Sequence, residues 1–116
     1  MGAVTRAIRY VYVAGPITAG DQLVSCADAI HICDDLAEEG FIPHVPYMHY
    51  SWHMMHPHPY EFWLQQDEAW LSRCDALLRL PGISVESDRE VAFANEHGIP
   101  VFYSIDGLLE AADDDR

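Results

Sequence analysis

The stretch AIRYVYVAG, residues 7–15, decides how the rest of the chain is read. Its β-branched and aromatic residues end at Gly15-Pro16, the pattern of a short buried strand running into a turn. Behind it, Leu23, Ala27, Ile30, Cys33 and Ala37 recur at spacings of three and four, one apolar helix face that stops at Gly40. FIPHV, residues 41–45, is then a second short strand. Strand, helix, glycine stop and strand form a βαβ unit.

The remainder repeats the alternation. YEFWLQQDEAWLSRC, residues 60–74, predicts a helix with Pro59 in its first turn and Phe62, Trp63, Trp70 and Leu71 as its core face. ALLRL, residues 76–80, is the third strand, and PGISVESD, residues 81–88, a loop. REVAFANEH, residues 89–97, is a helix ended by Gly98, and IPVFY, residues 99–103, the fourth strand. The expected class is α/β: a small doubly wound parallel sheet of four to five strands, a flavodoxin- or Rossmann-like three-layer α/β/α arrangement. At 116 residues, half of them hydrophobic, one such domain spanning 1–116 holds the whole function. The final EAADDDR, residues 110–116, reads as a solvated, frayed tail.

Composition narrows the partners. The net charge of −13, with only six Lys plus Arg, argues against a nucleic acid, because neutralising phosphates needs a basic surface. No stretch approaches the ~18 uninterrupted apolar residues of a membrane span, and the start has no leader-like pattern. Met-Gly at the start is followed by Arg6 where a myristoylation signal wants Ser or Thr. The expectation is a cytoplasmic protein with a small-molecule ligand and no membrane partner. Cys26, Cys33 and Cys74 are odd in number and lack C-x-x-C spacing, so neither a disulfide framework nor a thiolate metal knuckle is expected.

In a doubly wound fold, ligands bind beyond the carboxyl ends of the strands. The segments there are GPITAG, PYMHYSWHMMHPHPY, PGISVESDRE and SIDG. HYSWHMMHPHP, residues 49–59, places four of the chain's seven histidines around Trp52. His49, His53 and His56 fall at i, i+4 and i+7, so a helix there would align three imidazoles as zinc requires. There is no His-Glu-x-x-His frame, and Pro57 and Pro59 disrupt the end. The expected role is a mobile covering loop over a planar ligand, with His49 and Trp52 among the contacts. Neither a metal nor an organic cofactor is required.

The acids offer two readings. Ser87-x-x-Glu90 has the spacing of a capping box, in which Ser87 caps the helix and Glu90 reaches back to it. Alternatively, Glu90 pairs with a second carboxylate, Asp67, to suit a retaining displacement at an anomeric carbon. Asp75 reads as a turn or cap residue. Tyr12, near the end of the first strand, is placed to reach a carboxylate with its hydroxyl. Gly15, Pro16 and Ile17 bring backbone close to a ligand, and Ser84 and Ser87 offer donors at a helix start. With no G-x-G-x-x-G, a dinucleotide site is not indicated.

In this order, VYVAGPIT, FWLQQDEAWLSRCDALLRLPG and SVESDREVAFANEHGIPVF resemble the nucleoside 2-deoxyribosyltransferase-like superfamily, in particular its short bacterial and phage members. The likeness runs from about Tyr10 to Tyr103, and Ser84 and Glu90 match the family's S-x-G-x-x-x-E pattern. It implies that Glu90 attacks C1′ of a nucleoside or nucleotide, that Asp67 contacts the sugar and the reacting carboxylate, and that Tyr12 orients the nucleophile. Ser84 matches a serine that contacts a 5′-phosphate in the nucleotide-hydrolysing branch. A homo-oligomer that completes its pocket across subunits is also implied. Glu86 stands where the pattern has glycine, and Thr18 where the monophosphate hydrolases tend to carry arginine, so a neutral nucleoside, a modified base or another ribosylated metabolite fits better than a 5′-phosphate. Two other classes remain open: a module that senses a nucleotide-derived ligand without turnover, and a metal hydrolase built on His49, His53 and His56.

Overall fold

The strand expected over residues 7–15 is β1, Tyr10–Ala14, in a computed structural model that describes residues 8–15, 22–46 and 48–114. The elements that follow are α1 (Gln22–Glu38), β2 (Ile42–His44), α2 (Met48–Met55), α3 (Tyr60–Leu71), β3 (Ala76–Arg79), α4 (Val85–Glu96), β4 (Val101–Phe102) and α5 (Ile105–Asp114). The strands form one parallel sheet in the order β2-β1-β3-β4. The chain therefore winds outward from β1 to β2, returns across it to β3, and leaves a switch point between β1 and β3. A small three-layer doubly wound α/β fold is the result.

Strand alternation sorts the core into two halves. Val11, Val13, Ala76 and Leu78 pack on Leu36 of α1 and on Leu108 and Ala112 of α5. Tyr12, Ala14 and Leu77 face the opposite layer, against Leu71 of α3 and Ala94 of α4. Period two along each strand makes this division, and burial of both faces is what a parallel sheet requires. Asp75 fastens the end of the sheet remote from the switch point: its Oδ2 accepts from the backbone N–H groups of Arg9 (2.9 Å) and Tyr10 (2.8 Å). The turn role expected of it is thus a strand anchor.

Both predicted glycine stops terminate helices. Gly40 (φ 93°) and Gly98 (φ 71°) adopt the left-handed conformation that a Cβ disfavours. After each, the next N–H bonds back inside the helix: Phe41 to Leu36 O at 3.1 Å, Ile99 to Ala94 O at 2.8 Å. Phe41 and Leu36 are both buried in the same cluster, so each stop also feeds the core.

Several local expectations are corrected. The histidine segment is a helix, α2, because its prolines lie outside residues 48–55 and its Trp52 side chain has aromatic partners on α3. α4 begins four residues earlier than residue 89. Trp70 is not a core residue of α3: it is half exposed and stacks on His44, while Leu64 and Leu71, seven apart, are the buried positions. The acidic end is helical through Asp114, with Ala112 fully buried, because its apolar residues repeat on one face. Among the described residues no helix is long and apolar enough to cross a membrane.

Candidate active site

β1 and β3 end at a cavity of about 300 Å³, at the switch point where a doubly wound fold holds its ligand. Gly15 contributes from the end of β1, Asp67 from α3, Ser84, Ser87 and Glu90 from α4 and its approach, and His49 from α2. Six of the residues expected at a site thus meet there. Pro16 and Ile17, and Thr18 beside them, lie outside the described residues.

Glu90 reaches this place because α4 starts at Ser84. Ser84 is extended (φ −158°, ψ 115°) and its hydroxyl accepts from the Ser87 N–H at 3.1 Å, so Ser84 is the N-cap. The capping box between Ser87 and Glu90 does not form. Ser87, Glu90 and Ala94 are the buried stripe of the helix, and the Glu90 side chain points to the sheet rather than back along its own backbone. Arg79 explains the early start: from the end of β3 its guanidinium donates to Leu80 O, to Gly82 O at 2.9 Å and to Asp88 Oδ1 at 3.0 Å. Those bonds pin the loop that aims α4, a long-range constraint that local capping signals do not contain. Arg79 is buried and was not among the residues singled out from sequence, although alternation with Leu77 places it on the Tyr12 face.

Tyr12 lies beneath the cavity. It is fully buried, and its hydroxyl donates to Glu90 Oε2. Burial raises the phenol well above its ordinary range, reinforced by the charges of Glu90 and Asp67, so Tyr12 remains a protonated donor. Burial likewise pushes the Glu90 carboxyl up to about 8; the Tyr12 hydrogen bond opposes it, Asp67 and Glu86 add to it, and Arg79 counteracts them. Asp67 is pushed up to about 7, by burial and then by Glu68. Two carboxyl groups on one cavity therefore hold protons near neutrality.

His49 Nδ1 sits 3.0 Å from Asp67 Oδ1. The contact is close but is not aligned as a hydrogen bond, and Oδ1 is buried without one. Burial, and secondarily His44, lowers the His49 pKa, so the imidazole is neutral near pH 7 and the contact is not an ion pair there. His44 is lowered by burial as well and lies 5.7 Å from the Tyr12 ring, centroid to centroid.

Trp52 does not line the cavity. It stands behind it, edge-on to Trp63 (5.0 Å) and Phe62 (5.6 Å), and props α2 against α3. Trp63 and His53 take the place expected of it on the wall. The sequence pattern predicts Trp63 as a core residue; with its ring packed edge-on against Trp52 of α2, it lines the cavity instead. His56 lies just beyond α2, its N–H bonded to Trp52 O. Among the described residues, no three His, Cys, Asp or Glu groups are arranged to hold a metal ion. At Gly15 a Cβ would lie 3.1 Å from Leu80 Cδ1, so the glycine serves close packing as well as the cavity edge.

Chemically, the site combines a carboxyl group oriented by a phenol, a second carboxyl group, an aromatic wall and hydroxyl donors. No protein-family model matches the chain, and no curated protein matches it.

Proposed function

We propose that the protein is a cytoplasmic, nucleoside 2-deoxyribosyltransferase-like enzyme that cleaves or transfers at the N-glycosidic bond of a nucleoside or nucleotide, with retention and with Glu90 as nucleophile. The observation that carries this reading is the hydrogen bond from buried Tyr12 to Glu90 on a cavity that also holds Asp67. A phenol that cannot ionise fixes one carboxylate oxygen and leaves the other to attack.

In the first step the Glu90 carboxylate bonds to C1′ as the C1′–N bond breaks. The electron pair leaves with the base, which takes the proton held by Asp67. In the second, water attacks C1′, its proton passes to Asp67, and the glycosyl ester releases the Glu90 carboxylate. If a second base attacks instead of water, the reaction is a transfer. Arg79 and Tyr12 favour the ionised Glu90 that the first step needs, against the burial that disfavours it.

A neutral nucleoside is the preferred substrate. Glu86 lines the cavity beside Ser84 and Ser87, and the Ser87 N–H is already taken by Ser84 Oγ. A 5′-phosphate there would meet a carboxylate rather than a free helix N-terminus. A homo-oligomer belongs to the same proposal, and light scattering of the purified protein reads it directly.

Chromatographic detection of free base from a panel of nucleosides and their 5′-monophosphates, beside Glu90→Ala, tests the reaction. Release by the wild type alone supports it; no release from any member overturns it. In that event the second reading, a sensing module that binds without turnover, takes its place. The feature favouring that reading is the Glu90 carboxyl raised to about 8, mostly un-ionised at neutral pH in the free protein.

A further inference from the structure

Trp63 Nε1 donates to His53 Nδ1 at 2.8 Å, and the His58 backbone N–H points to the same nitrogen at 3.2 Å. Both partners are donors only, so Nδ1 must present its lone pair and the ring proton resides on Nε2. The tautomer of His53 is thereby set: this imidazole offers an N–H through Nε2.

His53 and Trp63 both line the cavity, on the part of its wall built by α2 and α3, whereas Ser84, Ser87 and Glu90 belong to the α4 part. The indole is held rigidly, edge to face with Trp52 (5.0 Å, 86°) and with Phe62 (4.9 Å, 82°). A flat surface already immobilised loses little side-chain freedom when a planar ring settles on it.

We infer that the α2–α3 wall is the base-recognition half of the site and selects bases with an oxo group at purine C6 or pyrimidine C4: the base lies against Trp63, and the oxygen at that position accepts the Nε2–H of His53. This rests on the nucleoside reading above and names the substrate class for it. An exocyclic oxygen projects beyond the ring nitrogens and meets the donor first. An exocyclic amino group at the same position brings N–H against N–H and leaves both unpaired. Hypoxanthine, a 6-oxopurine, and uracil, with its oxygen at C4, fit; adenine and cytosine present an amino group at those positions and do not.

The test is binding, not turnover. Hypoxanthine, adenine, uracil and cytosine are titrated into the full-length protein, with calorimetry and tryptophan fluorescence as readouts. Each oxo base is expected to bind at least about tenfold more tightly than its amino counterpart, the scale of one well-formed hydrogen bond. His53→Ala removes the difference. His53→Gln restores it in part, because its amide N–H lies near the position of Nε2, and this rescue separates recognition from damage to α2. Equal binding of oxo and amino bases, a preference that survives His53→Ala, or no binding of any base overturns the inference. A protein that releases base without oxo preference loses this inference alone. One that prefers oxo bases but releases none loses the enzymatic reading and keeps the wall.

Discussion

Tyr12 and Glu90, 78 positions apart in sequence, meet through a buried hydrogen bond from the phenol to Glu90 Oε2 on the sheet face that packs against α3 and α4. β1 supplies one partner and α4 the other, beside the switch point between β1 and β3. In the proposed reaction Tyr12 is the group that keeps Glu90 ionisable despite its burial. Tyr12→Phe is therefore expected to lower kcat/KM at pH 7 by roughly ten- to hundredfold, the scale of one hydrogen bond to a charged group. Because Glu90 holds the higher of the two carboxyl pKa values, the substitution also moves the falling limb of the pH profile upward. Steady-state base release between pH 5 and 10 checks both, and an unchanged limb would remove Tyr12 from the mechanism.

Glu90 must lose its proton and Asp67 must keep one for the first step. With Glu90 raised to about 8 and Asp67 to about 7, kcat/KM is expected to be bell-shaped with its maximum between those values. Asp67→Asn removes the falling limb and lowers kcat by about a hundredfold or more. A falling limb that persists in this variant assigns the proton donor elsewhere.

The same shifts predict how stability varies with pH. A carboxyl group whose pKa is raised on folding binds more protons folded than unfolded, so its contribution is fully present below about 4. It is lost as pH rises through about 7 for Asp67 and about 8 for Glu90. Thermal melts should therefore show Tm falling from pH 5 to pH 8.5. Glu90→Gln, while abolishing base release, should raise Tm at pH 8.5 and change it little at pH 5. A Glu90→Gln melt that loses stability equally at both values contradicts burial as the cause of the raised pKa.

Arg79 links the loop after β3 to the charge on Glu90. Arg79→Met leaves Leu80 O and Gly82 O without their donor and is expected to destabilise the fold by about 2–3 kcal/mol in denaturant unfolding. Arg79→Lys keeps the charge without the forked geometry. It should leave the falling limb of the pH profile in place while lowering kcat, whereas Arg79→Met moves that limb upward. Identical limbs in the two variants would show that Arg79 acts only on the loop.

Periodicity in the sequence was enough for the layers. Alternation along YVYVA and ALLR and the glycines at 40 and 98 are local signals with local causes, side-chain period and left-handed backbone. The helix before Gly40 was legible as an element, but its buried face is Ala29, Ile32, Cys33 and Leu36, whereas Ala27, Ile30 and Ala37 of the predicted face are exposed. The loops that line the cavity followed from the alternation of strands and helices. The acids could be named as candidates but not paired, since Ser87 and Glu90 have the spacing of a cap whether or not they form one. Only the tertiary structure showed that this cap does not form. Arg79, buried under the loop after β3, draws the start of α4 back to Ser84 and so turns Glu90 to Tyr12 instead of to its own helix start. The histidine segment likewise became a helix with Trp52 behind the wall and Trp63 on it, because the rings of α2 and α3 pack against each other. Contacts between residues far apart in the chain set these orientations, and no local pattern of residue types encodes them.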